Sequence, residues 1–342
     1  MVAFGRIACW VAGVGAAVTT LAGSVAAQSV EQFYRGRTMT ILIGHPPGGS
    51  YDLYARLAAD HMGKFIPGHP NIIVQSKPGG GSAVASAYLY GIAPRDGSML
   101  GLFAETIAAT QVLDPQLGKW KMQEMTYIGS FAGVNAAFVR RKDSPAKTVE
   151  DMRNIAMNVG CSGRTSQSYQ SPALLKNLGG FKFNLICGYP GSAEYVLAME
   201  KGEVDMVSSA WNQWISAHPQ KIKDGEFVPV IQSGLKRHPD LPDIPLMQEL
   251  VSDPKVKQAI EFASAGAAIG RAIIAPPKVP QDRIDALRAA FDKVVEDPAF
   301  LADAKKRLAE IDPSPGDEVQ QAALAIVNAP KDVVELAAKG ME

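Results

Sequence analysis

Two glycine-rich segments carry the clearest chemistry in the chain: Pro46-Pro47-Gly48-Gly49-Ser50-Tyr51-Asp52 and Lys77-Pro78-Gly79-Gly80-Gly81-Ser82. Each follows a short apolar run and precedes a stretch of helical spacing, so each joins the end of a strand to the start of a helix. Such a joint leaves backbone N–H groups unpaired beside the positive end of a helix dipole, and glycine lets the backbone approach a ligand. The natural guest is an anion. Neither segment ends in the Gly-Lys-Ser/Thr of a nucleotide P-loop, and Gly79-Gly80-Gly81 lacks the third glycine of a dinucleotide fingerprint. A carboxylate is therefore a better candidate than a phosphate.

Other constellations are weaker. Glu105 follows the third apolar run at the same crevice, placed either to accept a ligand hydroxyl or to be solvated. Trp211 and Trp214 follow a later strand; Trp211 fits ring stacking and core packing equally, whereas Trp214 reads as core. Five scattered histidines show no ligand spacing, so no metal is expected. No G-x-S-x-G elbow occurs, and Cys161, before Ser162-Gly163, has no histidine near it in the pattern to act as a base. No catalytic residue and no cofactor are assigned.

The elements that must hold these loops alternate. Met39–Gly44, Ile72–Gln75 and Met99–Phe103 read as strands, with helices over Asp52–Met62 and Ala83–Ala93 between them. The middle repeats the grammar: strands at Ala136–Val139, Met157–Gly160, Phe183–Cys187, Val204–Ser208 and Phe227–Gln232, with helices at Thr148–Arg153, Pro172–Leu178 and Ala193–Lys201. This alternation marks parallel sheets faced by helices, which bind ligands beyond the carboxyl ends of their strands. Beyond Ala275-Pro276-Pro277 the chain reads as helical: Asp282–Glu296, a helix capped by Asp297 with Pro298 at its first position, Asp317–Val327 and Pro330–Lys339.

The 342 residues suggest two domains, and 47% apolar against 20% charged residues marks a packed rather than a disordered chain. Basic and acidic residues balance, 34 against 34, so no field exists to hold nucleic acid. Residues 1–27 stand apart. Arg6 precedes the uncharged run Ile7–Val25, and Val25-Ala26-Ala27 resembles a signal-peptidase site before Gln28, which implies export to the periplasm. The rival is an uncleaved anchor, since that run of 19 residues could span a bilayer, although Gly13, Gly15 and Gly23 weaken it. Cleavage removes Arg6 and Cys9 and leaves Cys161 and Cys187, which are either bridged or two buried thiols.

Pro46–Asp52 with Ala55-Arg56-Leu57 resembles the first ligand loop and helix of the TctC-like (Bug) receptors of tripartite tricarboxylate transporters. The likeness continues through Lys77–Ser82, Ala93-Pro94-Arg95-Asp96-Gly97, Gly188-Tyr189-Pro190-Gly191-Ser192, Gly202-Glu203-Val204-Asp205-Met206, His238–Pro245, Ala275-Pro276-Pro277 and Asp297-Pro298. The resemblance implies an α/β periplasmic-binding-protein (Venus flytrap) fold with a ligand cleft between two lobes. Lobe I would combine 28–138 with 268–342, and lobe II would be 139–267. It implies ligand contacts from Pro47, Gly48, Gly49, Ser50, Asp52, Gly80, Gly81 and Ser82 in the first lobe. The second lobe would supply Ser162, Arg164, Thr165, Ser166, Tyr189 and Asp205. Asp52 is equally a helix-start acid, and Arg164 is either a bidentate partner for a second carboxylate or a solvated loop residue. The chain departs from the family pattern at Gly81-Ser82, Pro190 and Cys161–Arg164, which bears on the ligand's identity rather than the binding mode.

On this reading Cys161 and Cys187 end neighbouring strands and are expected to form a disulfide, which a Cα separation above ~7 Å would exclude. The implied protein is a monomer that closes on a small organic carboxylate and delivers it to membrane permease subunits. The alternatives are a carboxylate receptor in signalling and an exported hydrolase using the same crevice.

Overall fold

A computed structural model describes residues 1–3, 5 and 28–342. Apart from Met1–Ala3 and Gly5, the leader expected over 1–27 lies outside the described residues, as does Cys9. Among the described residues no helix is long and apolar enough to cross a membrane.

The strands, in chain order, are β1 Thr38–Ile43, β2 Asn71–Ser76, β3 Met99–Leu102, β4 Thr126–Ser130, β5 Ala136–Arg141, β6 Met157–Cys161, β7 Phe183–Cys187, β8 Met206–Ala210, β9 Phe227–Ser233, β10 Ala272–Ala275 and β11 Ser314–Pro315. They form two sheets, ordered β11-β4-β10-β3-β1-β2 and β7-β6-β8-β5-β9. Each sheet has a parallel trio, β2-β1-β3 or β7-β6-β8, in which the first strand in the chain takes the centre. Helices Ser50–His61 and Ala83–Gly91 link the first trio, and Gln167–Asn177 and Ser192–Glu200 link the second. β1 is buried beyond Thr38, as a central parallel strand covered on both faces should be. The molecule is a two-lobed α/β protein, one sheet at the heart of each lobe.

Antiparallel strands complete both sheets, and alternation alone does not reveal them. β10 enters the first sheet between β3 and β4, and β5 enters the second between β8 and β9. The chain thus crosses between lobes at 131–135 and again at 265–271. The two crossings pair with each other: Phe131 N–H donates to Arg271 O (3.1 Å), Arg271 N–H to Ala132 O (2.9 Å) and Val134 N–H to Ala267 O (2.9 Å). Gly270 is required here, because its φ is +59° and a Cβ would lie 1.9 Å from Ala132 O.

Three boundaries differ from expectation. The lobe boundary set at 138 cuts β5, all of which pairs in the second sheet. The last helix, Lys331–Gly340, assigned to lobe I, packs also on Gln167–Asn177 and Pro254–Ser264 of lobe II. It straddles the lobes because Ala337 joins a largely lobe I core while Met341 joins a lobe II core. Helix Gln167–Asn177 begins five residues before Pro172, which sits inside it. The N–H that proline lacks would have met Ser168 O in the first turn, so only one ladder bond is lost. Asp297 caps helix Pro298–Lys306 as expected, accepting from Phe300 N–H.

Candidate functional site

Between the lobes lies a cavity of about 30 Å³ at the carboxyl ends of both parallel trios. Its walls include the first residues of three helices that start at its edge: Ser50, Gln167 with Ser168, and Ser192. Helix Trp211–Ala217 adds Ala210 and Gln213. The three longer helices each turn the positive end of a dipole to the cavity, so their converging starts make it electropositive, while Trp211 N–H at the short fourth helix is spent on Asn135 O.

On the lobe I side the floor is charged. Arg271 is only 1% exposed and lines the cavity. β10 runs antiparallel to β3, which brings the residue just before β10 beside the carboxyl end of β3 and the turn after it that carries Glu105. Arg271 Nη1 donates to Glu105 Oε2 (2.9 Å) and Nε to Ser50 Oγ (2.9 Å). The guanidinium carbon stands 4.2 Å over the Tyr51 ring, whose hydroxyl also donates to Glu105 Oε2 (2.8 Å). Burial opposes the charge on Arg271, but Tyr51 and Glu105 outweigh it and hold the guanidinium protonated. His45 stacks on Tyr51 with ring centroids 4.2 Å apart. Burial, then Arg271, pushes the imidazole down to about 3, so it lines the cavity uncharged.

On the lobe II side the wall is neutral: Ser162, Ser166, Gln167, Ser168, Ser192, Tyr195, Ser209, Ala210 and Gln213. Ser162, Ser166 and Ser168 form a hydroxyl triangle with edges of 2.8–3.1 Å. Ser209 Oγ donates to Gln213 Oε1 (2.8 Å). Burial lifts the Tyr195 hydroxyl to about 12, so it stays protonated.

The lobes meet around the cavity. Thr106 Oγ1 donates to Thr165 O (2.6 Å), and Thr165 Oγ1 to Gly81 O (3.1 Å). Ser50 Oγ, which accepts from Arg271, donates to Asn212 Oδ1 (3.2 Å), and Asn212 Nδ2 donates to Tyr54 OH (2.9 Å). Gly81 has φ +66°, and a Cβ there would lie 2.6 Å from Ser166 N, so glycine is what allows this approach.

Of the residues singled out in the sequence, Ser50, Glu105, Ser162 and Ser166 line the cavity. Gly81 and Thr165 hold the lobe contact, while Ser82 Oγ accepts from Ala104 N–H and lies 3.2 Å from His45 Nδ1. Gly80 lies against Gly163 of the other lobe. Gly48, Gly49 and Asp52 border a neighbouring groove, and Pro47 is exposed. Asp52 braces its own loop, accepting from Gly48 N–H (3.0 Å) and Arg56 Nε (2.9 Å).

Four residues are placed elsewhere. Arg164 donates to Met341 O (3.1 Å) and lines a separate groove at the last helix. Asp205 precedes β8, at the end opposite the cavity, and accepts from Asn158 N–H (2.9 Å). Trp211 is buried in the lobe II core with Nε1 donating to Asp240 (3.0 Å). Tyr189 packs against the same core, and the tyrosine that lobe II brings to the cavity is Tyr195. Cys161 and Cys187 are joined by a disulfide with Cα atoms 4.4 Å apart, directly opposite in the β6–β7 register.

The sequence reading missed Arg271, His45, Tyr51, Gln167, Ser168, Ser192, Tyr195, Ser209 and Gln213. One signal was available: Gly191-Ser192-x-Glu194 repeats the form of Gly49-Ser50-x-Asp52, a glycine before the first helical serine with an acid two residues on. Arg271 had only the oddity of a lone charge directly before the apolar run Ala272–Ala275. Among the described residues no group of His, Cys, Asp or Glu is placed to hold a metal.

The family described as TctC, tripartite tricarboxylate transporter family receptor, matches residues 54–333. A UPF0065 protein in the gbd 5' region of Cupriavidus necator is 25% identical over 337 residues, 95% of each chain. The periplasmic binding protein BugD is 22% identical, with a TM-score of 0.70 over 90% of this chain and 98% of its own. MatC from Rhodopseudomonas palustris, solved with bound malate, is 20% identical, with a TM-score of 0.69 over 87% and 99%. The two solved likenesses establish the fold.

Proposed function

As this chain belongs to the TctC family of tripartite tricarboxylate transporter receptors, we propose that it captures a small organic carboxylate between its lobes and hands it unchanged to a membrane permease. The observation that carries this is the buried Arg271 guanidinium among converging helix starts, in a cavity closed by both lobes. A carboxylate there would gain charge-assisted hydrogen bonds, together with backbone and hydroxyl donors that need little reorganisation. MatC carries malate in the same fold, which agrees in ligand class.

Bound ligand would bridge the lobes and hold them shut about the paired crossings at 131–135 and 265–271, and the permease would recognise the shut form. No covalent step is called for: the hydroxyls bond to each other, and His45, with its depressed pKa, is a poor base. The leader at residues 1–27 would deliver the protein to the periplasm, where the Cys161–Cys187 bridge is stable, and it would act there as a monomer.

Incubation of the processed protein with a panel of carboxylic acids tests this reading. A receptor gains thermal stability from its ligand and returns the compound intact. Conversion of the acid, or stabilisation only by sugars and amines, would contradict it.

A further inference from the structure

The two walls of the cavity ask different things of a ligand, and together they narrow its class. Every charged side chain at the cavity, Arg271 and Glu105, comes from lobe I, whereas lobe II presents hydroxyls and side-chain amides. Both charged groups are buried, and their mutual contact leaves each half free. Arg271 uses Nε and Nη1, so Nη2 has no partner among the described residues. Glu105 uses only Oε2, for Tyr51 and Arg271, so Oε1 is likewise unpartnered.

We infer that the ligand is a compact hydroxy-monocarboxylate of about two to four carbons, whose carboxylate meets Arg271 and whose hydroxyl donates to Glu105. This rests on the carboxylate-receptor reading above and sharpens it. A donor and an acceptor side by side match a carboxylate and an α-hydroxyl side by side. Remaining hydroxyls face Ser166, Ser192, Gln167 and Gln213, which both donate and accept.

Three competing classes fit less well. A dicarboxylate would place its second charge against lobe II helix starts, which offer dipoles and hydroxyls but no cation, or against Glu105. A zwitterionic amino acid carries no net charge, whereas Arg271 and Glu105 cancel and the helix starts leave the cavity net positive, favouring a net anion. An aromatic acid would be too bulky for lobes that already meet by hydrogen bonds beside the cavity. Size agrees: the lobes are already in hydrogen-bonded contact beside the cavity, which favours a compact ligand over an extended one. A longer ligand would hold Thr106 away from Thr165.

Calorimetric titration of the unmodified protein tests this with lactate, glycerate, propionate, succinate, malate, alanine and glycerol. Lactate or glycerate is expected to bind at least tenfold tighter than succinate, malate or alanine, and lactate at least tenfold tighter than propionate, which lacks only the hydroxyl. In Glu105→Gln the lactate-to-propionate ratio falls to threefold or less. The ligand-side comparison needs no variant, so it decides even where Glu105→Gln fails to fold. Tighter binding of succinate, malate or alanine overturns this inference, as does a lactate-to-propionate ratio near one, or no binding by either hydroxy acid. If succinate or malate wins, the carboxylate-receptor reading survives. Binding of glycerol alone sinks both.

Discussion

Each crossing between the lobes leads into a sheet through an antiparallel strand, and the residue just before that strand stands at the cleft end of its lobe. In lobe I this residue is Arg271, before β10; in lobe II it is Asn135, before β5. Arg271 reaches the cavity and holds Glu105 and Ser50, whereas Asn135 turns into its own lobe and donates to Gln232 Oε1 (3.1 Å) and Lys236 O (2.6 Å). The glycine loops repeat the contrast: Gly49-Ser50 leads to Arg271, and Gly191-Ser192 leads to hydroxyl groups. Two similar scaffolds therefore divide the labour, one reading charge and the other reading shape and hydrogen bonds. Fixing the charge on one lobe leaves the other free to move without dragging a buried ion through a desolvated gap.

This division can be broken from the charged side first. Arg271→Met leaves Glu105 buried without its cation, so we expect a loss of about 3–5 kcal/mol in stability and no measurable carboxylate binding, by chemical denaturation and calorimetry. An Asn135→Ala change should cost about 1 kcal/mol in stability and leave binding within a few-fold, because it removes only neutral bonds inside lobe II. Equal effects of the two on binding would abolish the contrast.

The next largest effect belongs to lobe II alone. The Cys161–Cys187 bridge closes a segment with sequence separation 26, so the double Cys→Ala variant should lose about 3 kcal/mol. Since the bridge ties β6 to β7 just behind the neutral wall, hydrogen exchange should rise there and not in β1–β3. Smaller still, Gln213→Ala should weaken ligand about tenfold with stability little changed, as expected for one lost hydrogen bond from the neutral wall.

The smallest effect is on pH. His238 of lobe II faces Glu310 of lobe I at 3.2 Å, with Asp240 3.8 Å from its other nitrogen. Burial alone would lower its pKa, but the bond to Glu310 and the two acids raise it above the usual histidine value. A raised folded-state pKa stabilises the closed form below the unfolded value, near 6.5, and that support fades as pH rises through the higher folded value. Melting curves from pH 5.5 to 8.5 should show a loss of a few tenths of a kcal/mol that His238→Gln removes.

Much of this architecture could be read from residue order. The first two strands of each parallel trio stand out because each pairs an apolar run with an exit that contains glycine. β4, Thr126–Ser130, escaped notice because its neighbours in the sheet, β10 and β11, come from far along the chain and no turn marks it locally. The site divides along the same line. Ser50, Ser162, Ser166 and Glu105 sit just past parallel strands, where local pattern points. Arg271 is brought there by an antiparallel pairing between residues 171 positions apart, such as Leu102 with Ile273, which no local spacing encodes. Arg164 misled for the opposite reason: a basic residue in the right loop is claimed by the last helix, whose position depends on packing across both lobes.

The most direct test of a charge-reading cleft compares acids with their own amides. Thermal shifts of the processed protein should show at least one small acid raising the melting temperature while its isosteric amide leaves it unmoved, and Arg271→Met should erase that difference. Amides that stabilise as well as the acids, or a preference that persists without Arg271, would contradict the account.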